Sequence, residues 1–251
     1  MIHRAHVCAL LFLSCLFLGC QPKPVSQETA DPVQAPLPVP APDAQNLIAN
    51  PGFESGLDAW MWLDWSKGWA PYKLSSSRVR SGQHALHLPI LSDAKRSTIV
   101  WGGVQEITLQ GDIPECIEGY YYVENWVHED WKQYLQLVVI DLTHPLGDKR
   151  GDAQLRYVIS GSSTPPLSIS NAQYLFVERS ESPKIGQWTR FQVNPRRDFM
   201  QSWNYTPAAG AKLRILFEGR YDLHKSAIPA RGDVFYDDLY FGPKTASHCA
   251  D

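Results

Sequence analysis

Apolar and polar residues alternate with a period of two along much of this chain, in short runs, and the 3.6-residue period of a helix is scarce. Leu213, Ile215 and Phe217 alternate with Lys212, Arg214 and Glu218, and Phe191 and Val193 with Arg190 and Gln192 after Trp188. Each run offers one face to a core and one to water, as a half-buried strand does. Clusters of Gly, Pro, Asn and Ser break the runs, which predicts an all-β sandwich of two antiparallel sheets. In residues 120–128 the period puts Tyr121, Val123, Asn125 and Val127 on one face and Tyr122, Glu124, Trp126 and His128 on the other. The second face is both aromatic and polar. Residues 134–140 follow a short link and are expected to pair antiparallel with that strand, adding Tyr134 and Gln136 to the same surface.

The N-terminus stands apart from this pattern. A charged start at Arg4 and a short apolar run through Leu18 have the form of a secretory signal, too short to cross a membrane. The run closes in Leu16-Phe17-Leu18-Gly19-Cys20, which resembles the bacterial lipobox, although Phe17 and Leu18 are bulkier than that motif usually allows. The resemblance implies cleavage after residue 19, a diacylated (palmitate-bearing) Cys20, and anchoring in the cell envelope; Gln21 fits an outer-membrane destination. Residues 20–45 carry seven prolines and almost no large apolar side chain, a composition that favours an extended, disordered tether. The domain is expected over 46–243, with a tail at 244–251.

With 251 residues, 44% hydrophobic and 12% aromatic, the chain can bury one sizeable core. Its formal charge is −3, and losing Arg4 with the signal leaves 22 basic against 26 acidic residues. A mildly acidic protein has no electrostatic case for nucleic acid. Of five cysteines, Cys8 and Cys15 leave with the signal and Cys20 takes lipid. Cys116 and Cys249 remain in an oxidising compartment, either as a bridge that pins the tail or as two thiols.

Two segments resemble the first and last strands of CenC-like carbohydrate-binding modules, jelly rolls of the galactose-binding-domain-like type. They are residues 46–60, with Asn50-Pro51-Gly52-Phe53-Glu54, and residues 232–241, with Tyr236-Asp237-Asp238-Leu239. Residues 79–88 and 188–191 resemble intervening strands in the right order. The resemblance implies a jelly-roll sandwich, and a structural calcium held by Glu54 and Asp237. Alternation separately places Asp237 with Phe235, Leu239 and Phe241, pointing inward, where a lone carboxylate needs a cation or hydrogen-bond donors. Donors from the backbone or from arginine are the plainer alternative.

Sugar binding uses flat rings against the C–H face of a pyranose, with amides and carboxylates beside them for the hydroxyls. Tyr122, Glu124, Trp126, His128, Tyr134 and Gln136 supply both kinds, which makes a glycan or polysaccharide the expected partner. Nine tryptophans exceed what the strands need, so some are expected in the open, with Trp60 in the core. A structural or assembly lipoprotein docking an envelope protein is the competing reading, and a hydrolase a remote one. No catalytic constellation emerges: adjacent His128, Glu129 and Asp130 point in different directions and form no site by themselves. Pro195, Arg196 and Arg197 read as a loop face.

Overall fold

A computed structural model describes residues 35–40, 43–93, 95–127, 132–147, 151–225 and 227–250. Residues 36–251 make up one unit, a jelly-roll β sandwich with a six-stranded and a five-stranded sheet. The six-stranded sheet runs β1 (Trp69–Ala70), β4 (Ile99–Thr108), β10 (Lys212–Asp222), β6 (Lys132–Leu146), β7 (Gly151–Ser160) and β8 (Ala172–Phe176). The five-stranded sheet runs β2 (Lys73–Ser75), β3 (Ala85–Leu91), β11 (Arg231–Gly242), β5 (Cys116–Val127) and β9 (Thr189–Val193). The expected alternating runs at 190–193 and 212–218 lie in β9 and β10. Leu213, Ile215 and Phe217 enter the core, where Phe217 meets Trp60, Phe191 and Tyr236. Pairing is mostly antiparallel, but β1 joins β4 and β8 joins β7 in parallel.

Three sequence expectations need correction. The strands β5 and β6 do not pair; they lie in different sheets, β5 between β11 and β9 and β6 between β10 and β7. Their apolar phases explain this, since Ile117, Tyr121 and Val123 from one and Leu135, Leu137 and Val139 from the other enter the same core from opposite sides. A short link serves a sheet-to-sheet crossing as well as a hairpin. Second, residues 195–197 open a helix, α1 (Pro195–Trp203), not a loop. Pro195 occupies the first turn, where its missing N–H costs nothing, and the Asn194 side chain accepts from the Arg197 N–H at 2.9 Å.

Third, the unit that holds the sandwich begins at Pro36, ahead of Asn46. Leu37 donates to the Arg80 carbonyl and accepts from the Gly82 N–H, both at 2.9 Å, so the last part of the expected tether is laid against the domain. The tail is held as well. Cys116 and Cys249 form a disulfide, with Cα atoms 5.9 Å apart and 133 residues between them in sequence. His248 stacks on Tyr240 with ring centroids 3.7 Å apart, and its Nδ1 lies 2.8 Å from Glu118.

Candidate functional site

The expected surface is divided by the fold. Tyr122 and Glu124 lie on the outer face of the five-stranded sheet, while Tyr134 and Gln136 lie on the outer face of the six-stranded one. Trp126 leaves the phase of Tyr122 and Glu124 because a bulge falls between the pairs Asp233↔Glu124 and Arg231↔Val127, with Asn125 at φ 54°. Its ring packs beneath Gly232 against the core, where an added Cβ would come within 2.7 Å of it. His128 falls outside the described residues, as does Cys20.

On the five-stranded side the polar groups around Tyr122 and Glu124 satisfy one another, although Trp126 Nε1 is buried without a partner. Arg78 Nε donates to Glu124 at 2.8 Å and its guanidinium lies 5.7 Å from the Tyr122 ring centre. Asp233 accepts from Asn125 at 2.8 Å and meets His87 Nε2 at 2.7 Å. The Tyr122 ring is enclosed by Trp188 and Phe235.

The outer face of the six-stranded sheet is different. Register aligns three rows across it: Gly102, Glu218, Gln136, Val158 and Phe176; Val104, Leu216, Val138, Arg156 and Tyr174; Val100, Arg220 and Tyr134. Cross-strand partners share a face, so each row is one line of neighbouring side chains. The middle of this surface is a buried polar network. Gln136 Nε2 donates to Glu218, Arg220 donates to Asp222 at 3.0 and 2.7 Å and to Glu218 at 3.5 Å, and Tyr134 OH donates to Asp222 at 2.7 Å. Burial opposes the charge on Arg220, but Tyr134, Asp222 and Glu218 outweigh it and hold the guanidinium above its ordinary value. Burial pushes the Tyr134 phenol well up and Tyr174 up.

Rings flank this polar floor. Trp69, half-buried, lies over β4, where the absence of a side chain at Gly102 lets the indole and Glu218 close in; an added Cβ would stand 3.2 Å from each. Tyr174 and Phe176 rise from β8 on the other side, Phe176 under the Arg179 guanidinium at 4.1 Å. Residues 165–169, 172 and 173 border a hollow of about 410 Å³ beside Tyr174 and Lys132, so the segment after residue 141 supplies β7, the edge strand β8 and a wall. Trp65, 67% exposed, stands in the same segment as Trp69, whereas Trp60 is in the core as expected.

Polar atoms on this face lack partners. Gln136 Oε1, Arg156 Nη1 and Tyr174 OH are buried without a hydrogen bond, each an unmet demand of about 1–3 kcal/mol. Alternation at residues 134–140 found Tyr134 and Gln136. It missed Glu218, Arg220 and Asp222, although a −/+/− triplet in the wet phase of β10 is a readable signal of a polar rank. Trp69, Arg156 and Tyr174 had none beyond residue type.

Glu54 and Asp237 do not fit a calcium site. Asp237 Oδ2 accepts from the backbone N–H groups of Arg80 and Ser81 at 2.8 and 3.2 Å, and Oδ1 from that of Asp238 at 2.8 Å. Glu54 accepts from the N–H groups of Gln83 and His84 at 2.9 Å. Backbone N–H groups thus occupy carboxylate oxygens that a calcium ion would need as ligands. Nor does Asp237 face the core: the pairs Asp237↔Tyr120 and Tyr240↔Glu118 bracket a bulge at Asp238, φ 49°, so Leu239 and Phe241 turn inward and Asp237 does not. Cys116, Glu118 and Cys249 are the remaining cluster of potential ligands among the described residues, and their sulfurs are bonded to each other.

Fold and face together define a jelly-roll sandwich in which one outer sheet surface carries a polar network beside an apolar cluster of Leu63, Val104, Val138 and Leu216, against which Trp69 packs. No protein-family model matches the chain, and no curated protein is similar to it. Among solved structures it is similar to the CBM27-1 module of Caldicellulosiruptor saccharolyticus in complex with mannohexaose, at 14% identity and TM-score 0.42, covering 78% of this chain and 97% of that one. A carbohydrate-binding module, CBM28, described as specific for non-crystalline cellulose, matches at 14% identity and TM-score 0.41, covering 79% and 96%. The enzymatically active domain of bacteriophage CBA120 tailspike protein 4 matches at 10% identity and TM-score 0.39; the alignment covers 78% of this chain but spans only 21% of that one.

Proposed function

We propose that this chain binds carbohydrate, without catalysing its cleavage, through the outer face of the six-stranded sheet, and that it does so at the cell envelope, held there through a lipidated Cys20. The observation that carries the reading is the buried rank Glu218, Gln136, Arg220 and Asp222, flanked by Trp69 on one side and Tyr174 and Phe176 on the other, with three polar atoms lacking partners. Rings and hydrogen-bonding groups that alternate over a sheet suit a sugar, whose faces are apolar and whose edges are hydroxyls. The two carboxylates of the rank are both committed to Arg220, which suits binding better than acid–base work. The anchor rests on the sequence of residues 1–20 alone.

The test is retention of the full chain on insoluble polysaccharides, beside a Trp69→Ala variant. Retention by at least one polysaccharide, lost in the variant, is the expected result. A folded chain retained by none overturns the reading.

A further inference from the structure

The partnerless groups on the proposed face are not evenly distributed. On the β7–β8 side they are donors. Arg156 places both Nε and Nη2 on one acceptor, Gln154 Oε1, at 3.0 and 2.7 Å, and its Nη1 is buried with nothing to donate to. No carboxylate among the described residues pairs with it. Tyr174 is its register partner on β8, and the Tyr174 hydroxyl is likewise buried and without an acceptor. After burial, the charges of Arg156 and Arg220 and then those of Asp222 and Glu218 act on this phenol, so Arg156 and Tyr174 are close in space as well as in register, with the carboxylates of the polar rank nearby. Lys132, the second cation of this side, borders the same hollow as Tyr174 and donates to the Pro165 and Pro166 carbonyls, at 3.3 and 2.7 Å, and to no carboxylate among the described residues. Glu218 and Asp222 do not supply the missing acceptor: the hydrogen bonds they accept come from Arg220, Gln136 and Tyr134, and none from Arg156 or Tyr174.

Neutral hydroxyls could accept from Arg156 or Tyr174 singly. A guanidinium and a phenol that stand in register on neighbouring strands, each with a donor that has no acceptor, instead match two oxygens that share a negative charge. We infer that the glycan bound by this face is acidic, and that a sugar carboxylate, as in a uronic acid, accepts from Arg156 Nη1 and Tyr174 OH. The inference rests on the carbohydrate-binding reading above and narrows it to a substrate class. Indiscriminate attraction to polyanions is not its source, since the chain carries a formal charge of −3.

Affinity electrophoresis and titration of the full chain test it, with polygalacturonate and alginate, their carboxyl-reduced counterparts and neutral mannan as probes. Carboxyl reduction keeps the backbone and removes only the charge. The expected result is binding of at least one acidic polymer, weakened by about tenfold or more on its reduction and by a similar factor in Arg156→Gln and in Tyr174→Phe, which deletes a single oxygen. Binding of mannan or of the reduced polymers as tight as that of the acidic ones overturns the inference and leaves the carbohydrate reading standing. Acidic binding unchanged in both variants overturns it too. Failure to bind any probe, with polysaccharide retention also absent, overturns both.

Discussion

Asp237 sits where the alternation of β11 slips by one residue, and its surroundings set a titration that a solvent-exposed aspartate would not show. Burial, reinforced by the Asp238 carboxylate, pushes it up to about 8, against the opposing pull of three backbone donors. In the unfolded chain its pKa is about 3.9. The folded state therefore holds a proton that the unfolded state has released across this window. The stability tied to it is full below about pH 4 and is lost as pH rises through about 8, by at most about 1.4 kcal/mol per pH unit. Asp237→Asn removes the titrating group at nearly constant shape. With EDTA present, the variant is expected to gain on the native chain as pH goes from 5 to 9, measured by urea denaturation at each pH; a gap that stays constant would refute the shifted carboxyl. The same residue shows what alternation alone misses. Period two placed Asp237 inward with Leu239, and only the bulge at Asp238, which no residue type announces, reverses the assignment.

At the scale of elements, the segments that flank the sandwich, around Leu37 and around Cys249, are tied to it. Leu37 bridges to the turn at Arg80 and Gly82, and the tail closes on β5 through Cys116–Cys249 with the Cys249 N–H and His248 both on Glu118. A cross-link that spans 133 residues removes much of the freedom of the unfolded chain. Cys249→Ser is expected to cost about 2–5 kcal/mol, read as a lowered denaturation midpoint in urea. A midpoint equal to that of the native chain would show the bridge to be idle. The strands themselves were legible where alternation was clean, as at Leu213 to Phe217, because a half-buried strand needs little besides that pattern. Sheet membership was not. The segments containing Tyr122 and Tyr134 look like a hairpin in sequence, yet their apolar phases face each other across the core. The choice between pairing and crossing depends on competition from β11 and β10, which lie about a hundred residues downstream.

For the molecule as a whole, the consequence is that aromatic and polar side chains occupy two opposite surfaces, and the surfaces differ in what they leave open. Around Tyr122 the polar groups are paired and the rings packed on one another. Around Gln136 they form a network with vacant donors and acceptors between Trp69 and Tyr174. Of the six candidate residues, Tyr134 and Gln136 lie on the proposed face, Tyr122 and Glu124 lie on the opposite sheet and Trp126 packs against the core, while His128 falls outside the described residues, because composition identifies sugar-suited chemistry without saying which sheet presents it. Isothermal titration of a polysaccharide retained by the full chain, against that chain and against Trp69→Ala and Tyr122→Ala, separates the two surfaces in one measurement. Loss of an anchoring ring from a binding site costs about tenfold or more in affinity, so Trp69→Ala should bind at least that much more weakly while Tyr122→Ala stays within about twofold. The reverse order would place the ligand on the five-stranded sheet and contradict the account at its centre.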